Sequence, residues 1–401
     1  MAMLSVEDAQ ERVLELCSPL PEETVSVEDA VGRALVTDFM AVRTLPPWDN
    51  SSMDGYAVRT MDLIGKPVPL TVIERIFAGQ KPSLALEEAT CARIMTGAQL
   101  PSGADAVVPQ ERVQVIDEEQ IEILEIPKPH ANIRFKGEDV REGQLLLKAA
   151  WPIGLAEAGA LWGQGVARVV VRRRPRVAIA SSGDELCNAW EESHGRIVDT
   201  NSPVIAQAVK RAGGVPTTLG VVADRIEALT ASFRQGLDSD VLVTLAGASV
   251  GDHDFVRDAF TELGVAMDFW TVAMKPGKPL AVGRTDRTLV FALPGNPVSA
   301  MVTFELFVRP ALRALQGLPS RVTPLPGRAA TPLQKPAGRR HFIRATVELR
   351  DREFWATPLA NQSSGSLSSV TGATHLISVA PDTTEVEMGS EISLIPVDWL
   401  G

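Results

Sequence analysis

The chain is poor in cysteine, in long apolar runs and in basic charge, and each shortage closes off a class of function. Its three cysteines, Cys17, Cys91 and Cys187, lie far apart, and none belongs to a Cys-x-x-Cys pair with histidines at zinc-finger spacing. A disulfide framework and a structural zinc are therefore not expected. Nowhere is there a run of about 18 apolar residues, the length that a membrane-crossing helix needs. The opening stretch, MAMLSVEDAQERVLELC, is an acidic helix pattern rather than a basic segment followed by a signal-type apolar run. A cytoplasmic location without membrane association is the expectation. Lys and Arg number 39 against 50 Asp and Glu, for a net charge of −11, which opposes binding to nucleic acid or an anionic membrane. Any anionic substrate must therefore meet a locally basic pocket.

At 401 residues the chain exceeds what one hydrophobic core organises, and at roughly 150 residues per domain it should hold two to four. Val6, Ala9, Val13, Leu14 and Leu16 recur at helical spacing behind Ser5, with Glu7 and Asp8 in the first turn, where they complement the helix dipole. Residues 25–47 read as a short strand, a helical turn and a second strand ending at two prolines. Residues 142–171 read as a helix between two strands, expected to pack with 25–47 as one discontinuous domain. Between them, short β-branched runs such as VPLTVIERI and IEILEIP alternate with Gly, Pro, Asn and Asp, the pattern of a β-rich domain.

From Arg176 the chain alternates strands (RVAIAS, VPTTLGVV, DVLVTLAG, TLVFAL) with helices (SPVIAQAVKRAG, RIEALTASFRQGL, DFVRDAFTEL, VSAMVTFELFVRPALRAL). This predicts a parallel sheet covered by helices on both faces. Beyond Pro319 helical periodicity gives way to short strands at HFIRATVEL, EFWATPL and EISLIPV, which predict a small C-terminal β-barrel or sandwich. The fold class is thus multidomain α/β, a parallel βαβ domain with β-rich companions. The run Arg172 to Arg176, basic except for Pro175, precedes a buried strand and reads as a domain junction rather than a nucleic-acid patch.

Ligands of an open parallel sheet bind beyond the carboxyl ends of its strands. SSGDEL (Ser181 to Leu186), GASVGDHD (Gly247 to Asp254) and LPGNPVSA (Leu293 to Ala300) all follow such strands and should converge on one crevice. In the last, Gly295 permits close backbone approach, Pro297 suits a first helical turn, and Ser299 lies where free N–H groups attract an anion. A tight turn with no ligand would use the same residues. Asp252 and Asp254, and likewise Asp184 and Glu185, can offer paired carboxylates to a hard cation shared with substrate phosphates, or serve as helix caps. KPGKP sets Lys275 and Lys278 on either side of a Pro-Gly turn. Two neighbouring ammonium groups repel, and an anion between them relieves that. PPWDNSSMDGYA (Pro46 to Ala57) holds Asp49, Asp54 and the single tyrosine, Tyr56; MTGAQLPSGADAVVPQE adds Thr96, Asp105 and Glu111, and GED adds Glu138 and Asp139.

Through these motifs, together with DTN and GRRHFIR, nearly the whole chain resembles the molybdopterin molybdenumtransferases, bacterial MoeA and the E domains of gephyrin and its plant counterpart. The resemblance implies an elongated four-domain subunit: residues 1–24 with 172–318 as a MogA-like α/β domain, 25–46 with 141–171 as a connecting domain, 47–140 as a β-rich domain, and 319–401 as a C-terminal β-barrel. It implies a homodimer whose active site joins the α/β domain of one subunit to the β-rich domain of the other. The implied reaction converts adenylylated molybdopterin and molybdate into molybdenum cofactor and AMP, assisted by Mg²⁺, with Zn²⁺ as the alternative. Molybdopterin adenylyltransferase and molybdoenzyme maturation proteins are implied as partners.

Carried over motif by motif, Asp54, Thr96 and Asp139 look like substrate-cleft residues. Glu185, Asp224 and Asp254 resemble the functional carboxylates, with Glu185, Asp252 and Asp254 as metal ligands. Lys275, Lys278, Ser299, Arg339 and Ser364 resemble the groups that receive molybdate or the pterin phosphate, and Gly183, Gly251, Pro279, Gly295 and Asn296 line the substrate site. Arg340 and Arg344 are alternatives to Arg339, and the neighbouring serines to Ser364. The family has Gly-Gly before its Ser-x-Gly-Asp loop where this chain has Leu245, Ala246 and Gly247, and the Ala246 methyl would crowd a backbone that approaches a phosphate. Two other readings are an adenylyltransferase, against which the additional domains argue, and a non-catalytic scaffold, which has no use for charged residues in every loop.

Overall fold

The structure, a computed structural model, describes residues 3–64, 69–188, 195–245 and 255–399. It resolves into two compact units, Thr37–Ala149 with Gly159–Ala167, and Met1–Val36 with Ala150–Ala158 and Arg168–Gly401.

The smaller unit is built on a six-stranded sheet: β1 (Gly55–Val58), β2 (Leu70–Ile76), β3 (Thr90–Ile94), β4 (Ala106–Pro109), β5 (Val113–Val115) and β6 (Gln120–Ile123), in the order β4-β1-β3-β2-β6-β5. Successive side chains of a strand face opposite ways, so neighbouring residues enter different cores. Val58 and Val108 pack with Leu70, Cys91 and Ile121, whereas Ala57 and Val107 pack with Ile76 and Ile94.

In the larger unit, helix α1 (Val6–Glu15) is capped by Ser5, whose Oγ accepts a hydrogen bond from the Asp8 N–H at 3.0 Å, and buries Val6, Ala9 and Val13. Strands Glu22–Ser26 and Arg168–Arg172 pair antiparallel. The main sheet comprises β7 (Arg176–Ser182), β8 (Val215–Val222), β9 (Val241–Leu245), β10 (Ala266–Phe269), β11 (Ala281–Arg284) and β12 (Leu289–Leu293), ordered β8-β7-β9-β12-β11-β10. The first four run parallel; β7, β9 and β12 are the buried apolar strands that this predicts, whereas β8, VPTTLGVV, is a half-exposed edge, and β11 and β10 add an antiparallel edge on the other side that the sequence reading did not anticipate. Helices α2 (Asn201–Arg211), α3 (Ile226–Gly236), α4 (Phe255–Glu262) and α5 (Pro297–Thr303) cover it. Val177, Ile179, Val241 and Val243 face α2 and α5, while Ala178, Ala180 and Leu242 face Leu229 and Phe233 of α3 and Phe260 of α4.

The run predicted as one helix from Val298 to Leu315 is three pieces: α5, a π turn at Phe304–Val308 and α6 (Arg309–Leu315). Pro310 has no N–H for the carbonyl four residues back. That carbonyl, Leu306 O, instead accepts a hydrogen bond from Gln10 Nε2 at 3.0 Å. The basic run before β7 is held by an acid: Arg173 makes two hydrogen bonds to Asp240, at 2.7 and 2.8 Å.

Strands β13 (Leu325–Ala329), β14 (Arg340–Arg350), β15 (Glu353–Pro358), β16 (His375–Val379) and β17 (Glu391–Pro396) form a barrel in the order β14-β15-β13-β17-β16, closed by the pairing of β16 with β14. Closure removes exposed strand edges. The two-residue strand Met274–Lys275 runs parallel to the start of β14, with Met274 opposite Arg340 and Lys275 opposite His341.

Candidate active site

Three turns meet at the carboxyl ends of the main sheet. In the first, Gly183 has φ +151°, and a Cβ there would lie 2.6 Å from Oε2 of Glu185; only glycine lets this turn fold back on its own carboxylate. Asp184 Oδ1 accepts a hydrogen bond from the Asp224 N–H at 3.2 Å. Burial, and then the negative charges of Asp184 and Glu185, push the Asp224 carboxyl above its ordinary range. Asp199 caps α2 by accepting from the N–H groups of Asn201 and Ser202 at 3.0 and 3.1 Å, and Asn201 Nδ2 donates to Gly295 O at 2.7 Å. Glu185, Asp199, Asn201, Gly295, Asn296 and Pro279 line a cavity of about 540 Å³. Glu185 and Gly295, expected at one crevice, both line this cavity; no role was expected for Asp199 or Asn201, whose DTN motif reads alone as an ordinary helix cap.

A second cavity, of about 830 Å³, shares Pro279 and Asn296 with the first and opens against the barrel. Its cations are Lys275, Lys278, Lys335, Arg339 and Arg344, joined by His341, and none of the described residues lining it is Asp or Glu. In a chain of net charge −11 that is a local reversal of sign, and such a concavity attracts oxyanions. Lys275 and Lys278 are exposed and flank a turn in which Gly277 has φ +100°, a Cβ there falling 2.5 Å from Thr303 Cγ2. Ser299, 4% exposed, and Ser363 and Ser364 supply hydroxyls. The Val298 N–H donates to Ser364 O at 3.2 Å, which ties the serine segment to the start of α5.

The three arginines of this region differ in their commitments. Arg340 pairs with Glu7 at 2.7 Å and donates to Ser378 Oγ at 3.1 Å. Arg344, 2% exposed, donates to Ser363 O and to Ser369 Oγ, both at 3.3 Å, and burial lowers its pKa to about 10. Arg339 lines the cavity, and among the described residues its guanidinium has neither ion pair nor hydrogen bond. His341 is 8% exposed; burial first, then Lys335, Lys275 and Arg339, bring its pKa down to about 4. Neither Lys335 nor His341 was singled out from sequence: Lys335 lies ahead of β14 outside any motif, and His341, the second residue of β14, stands in GRRHFIR beside arginines that drew the assignment.

In the smaller unit, Asp54 Oδ1 accepts from both the N–H and the Oγ1 of Thr96, at 2.7 and 2.8 Å. Those bonds hold the Asp54 carboxyl below the usual carboxylate range. Asp139 is exposed, its N–H bonded to Leu45 O at 3.2 Å, and its carboxylate accepts no hydrogen bond among the described residues. Gly251, Asp252 and Asp254, with Ala246 and Gly247, lie outside the described residues. No group of three Asp, Glu, His or Cys among the described residues is placed to hold a metal. Glu185 is the one expected ligand that is described, and it is an exposed oxygen donor beside Asp184 and Asp224, of the kind a hard cation prefers. No helix among the described residues is long and apolar enough to cross a membrane.

Three family models match: "MoeA N-terminal region (domain I and II)" over residues 4–165, "Probable molybdopterin binding domain" over 178–314, and "MoeA C-terminal region (domain IV)" over 326–397. The chain is 35% identical to molybdopterin molybdenumtransferase 2 of Mycobacterium tuberculosis, across 98% of this chain and 99% of that one. It is 32% identical to the molybdopterin molybdenumtransferase of Haemophilus influenzae, across 99% and 100%. A crystal structure of a molybdopterin biosynthesis MoeA protein from Pyrococcus horikoshii superimposes with a TM-score of 0.81 at 30% identity, covering 98% of this chain and 99% of that one.

Proposed function

The chain belongs to the molybdopterin molybdenumtransferase family and is a transferase of the molybdenum-insertion step of molybdenum cofactor biosynthesis, and from that premise we propose how its residues divide the work. Molybdate is a tetrahedral dianion, and the cavity holding Lys275, Lys278 and Arg339, with no Asp or Glu among the described residues that line it, is the observation that carries the reading. Lys278, Ser299 and Arg339 hold molybdate there, with Lys275 and Ser364 beside them. The adjoining cavity around Glu185, Gly295 and Asn296 takes the pterin phosphate of adenylylated molybdopterin, with Pro279 in its wall and Gly183 and Gly251 as further substrate residues. The shared wall at Pro279 and Asn296 puts the two substrates next to each other.

Release of AMP breaks the phosphoanhydride and builds negative charge on phosphoryl oxygens, which nearby cations stabilise. Glu185, Asp252 and Asp254 would hold Mg²⁺, or Zn²⁺ in its place, and the ion when bound neutralises that charge. Asp224 is the further functional carboxylate beside them, and burial and its acidic neighbours push its carboxyl above the ordinary range. Asp54, fixed by Thr96, and Asp139 serve the substrate held by the other subunit of a homodimer. A four-domain division, a homodimer, a cytoplasmic setting and contact with molybdopterin adenylyltransferase or molybdoenzyme maturation proteins complete the proposal.

The test is AMP release from adenylylated molybdopterin by the purified protein with Mg²⁺, with and without molybdate, beside Asp254→Ala. Release that requires molybdate and is lost in the variant supports the reading. Tight substrate binding without release would favour a scaffold, and restoration by Ala246→Gly would locate the cause.

A further inference from the structure

One cation of the molybdate cavity reaches no ligand position. Lys335 is 8% exposed, and its Nζ donates to Pro336 O at 3.2 Å, Arg339 O at 3.1 Å and Pro381 O at 3.0 Å. A lysine ammonium has three N–H groups and no acceptor, so all three are committed to backbone carbonyls. Those carbonyls belong to two turns, 336–339, which leads into β14, and 380–384, which follows β16. The same turns are laced by two backbone bonds, Gly338 N–H to Pro381 O at 3.0 Å and Lys335 N–H to Thr384 O at 2.9 Å. Gly338, at φ +93°, lets the chain reverse just before Arg339.

Arg339 has no side-chain partner among the described residues, so its backbone is what directs its guanidinium. We propose that Lys335 is a positioning residue for oxyanion binding: its ammonium pins the carbonyl of Arg339 and so pre-organises the Arg339 guanidinium over the cavity. Pre-organisation improves affinity by removing an ordering cost from the binding step. The fixed ammonium also keeps a positive charge in the cavity wall without offering the anion a contact. This inference rests on the reading of the cavity as the molybdate site.

The experiment is calorimetric titration of sodium molybdate into the full-length protein and its variants, with AMP release measured at saturating molybdate. Arg339→Met is expected to raise the molybdate Kd about tenfold, the scale of one charged contact. Lys335→Met is expected to raise it comparably while leaving AMP release at saturation within about twofold. The double variant should bind no more weakly than Arg339→Met alone, because one residue acts through the other. Lys335→Arg keeps charge and length, but a planar guanidinium cannot aim three N–H groups from one nitrogen, so a Kd raised about threefold is expected. That variant carries the test if Lys335→Met does not fold. An unchanged Kd in Arg339→Met would sink the cavity reading itself. A weakened Arg339→Met beside an unchanged Lys335→Met or Lys335→Arg, or fully additive effects in the double variant, would overturn only the positioning role.

Discussion

At the scale of single residues, the chemistry lies in groups whose surroundings leave them one task. Lys278 is exposed on a turn fixed from behind by Gly277 and Thr303, so its ammonium is free to meet an anion. Lys278→Ala should raise the molybdate concentration for half-maximal AMP release about tenfold, a single charge-assisted contact being worth about 1.5–3 kcal/mol; unchanged saturation would remove Lys278 from the site. His341 acts on stability. Its pKa falls from 6.5 to about 4 on folding, so between those values the unfolded chain binds the extra proton and the folded chain does not. Stability from this group is therefore complete above about pH 6.5 and declines as the pH drops toward 4, by on the order of 3 kcal/mol in all. Urea midpoints at pH 7 and pH 4.5 should differ less in His341→Asn than in the parent, and equal differences would show that His341 carries none of the effect.

At the scale of elements, the join between α5 and α6 shows how a distant side chain serves a helix. Gln10 on α1 donates to Leu306 O, the carbonyl four residues before Pro310, which has no N–H to offer it. Gln10→Ala should cost about 1 kcal/mol, the usual net worth of such a bond, read as a lower urea midpoint with molybdate-dependent AMP release retained. The sequence reading treated Val298 to Leu315 as one helix because its apolar spacing is continuous, although Pro310 inside that run is a signal for a break. Strands β7, β9 and β12 were legible because strands buried on both faces are written as apolar runs, and the half-exposed edge strand β8 was legible from the helices that alternate with it. Strands β10 and β11 were not, being four residues each with no turn signal distinctive enough to flag them. Likewise the acidic and lysine loops were legible from residue type, whereas Lys335 and His341 acquire meaning only when the barrel closes and brings β14 beside Met274–Lys275.

At the scale of the whole molecule, an acidic protein captures an anion by segregating its charge. The net charge of −11 repels molybdate at long range, while the cationic cavity proposed for it, free of Asp and Glu among the described residues, opposes that repulsion at close range. Added salt shrinks the Debye length from about 14 Å at 0.05 M to about 4 Å at 0.5 M and weakens attraction by exposed charges such as Lys275 and Lys278. The molybdate Kd should rise on the order of threefold to tenfold across that range with potassium chloride. A Kd that does not change would mean that desolvated contacts alone hold the anion.

The short parallel pairing of Met274–Lys275 with Arg340–His341 also determines how the enzyme fails. One wall of the cationic cavity is the seam where the barrel is stitched to the sheet domain, so an excursion that opens the barrel removes half the anion's cradle while the central strands stay intact. Inactivation should therefore precede loss of helical circular dichroism on heating. In native-state hydrogen exchange the Arg340 amide, bonded to Ala273 O at 2.9 Å, should exchange with the barrel's opening rather than with global unfolding, and bound molybdate should slow that exchange by riveting the seam shut.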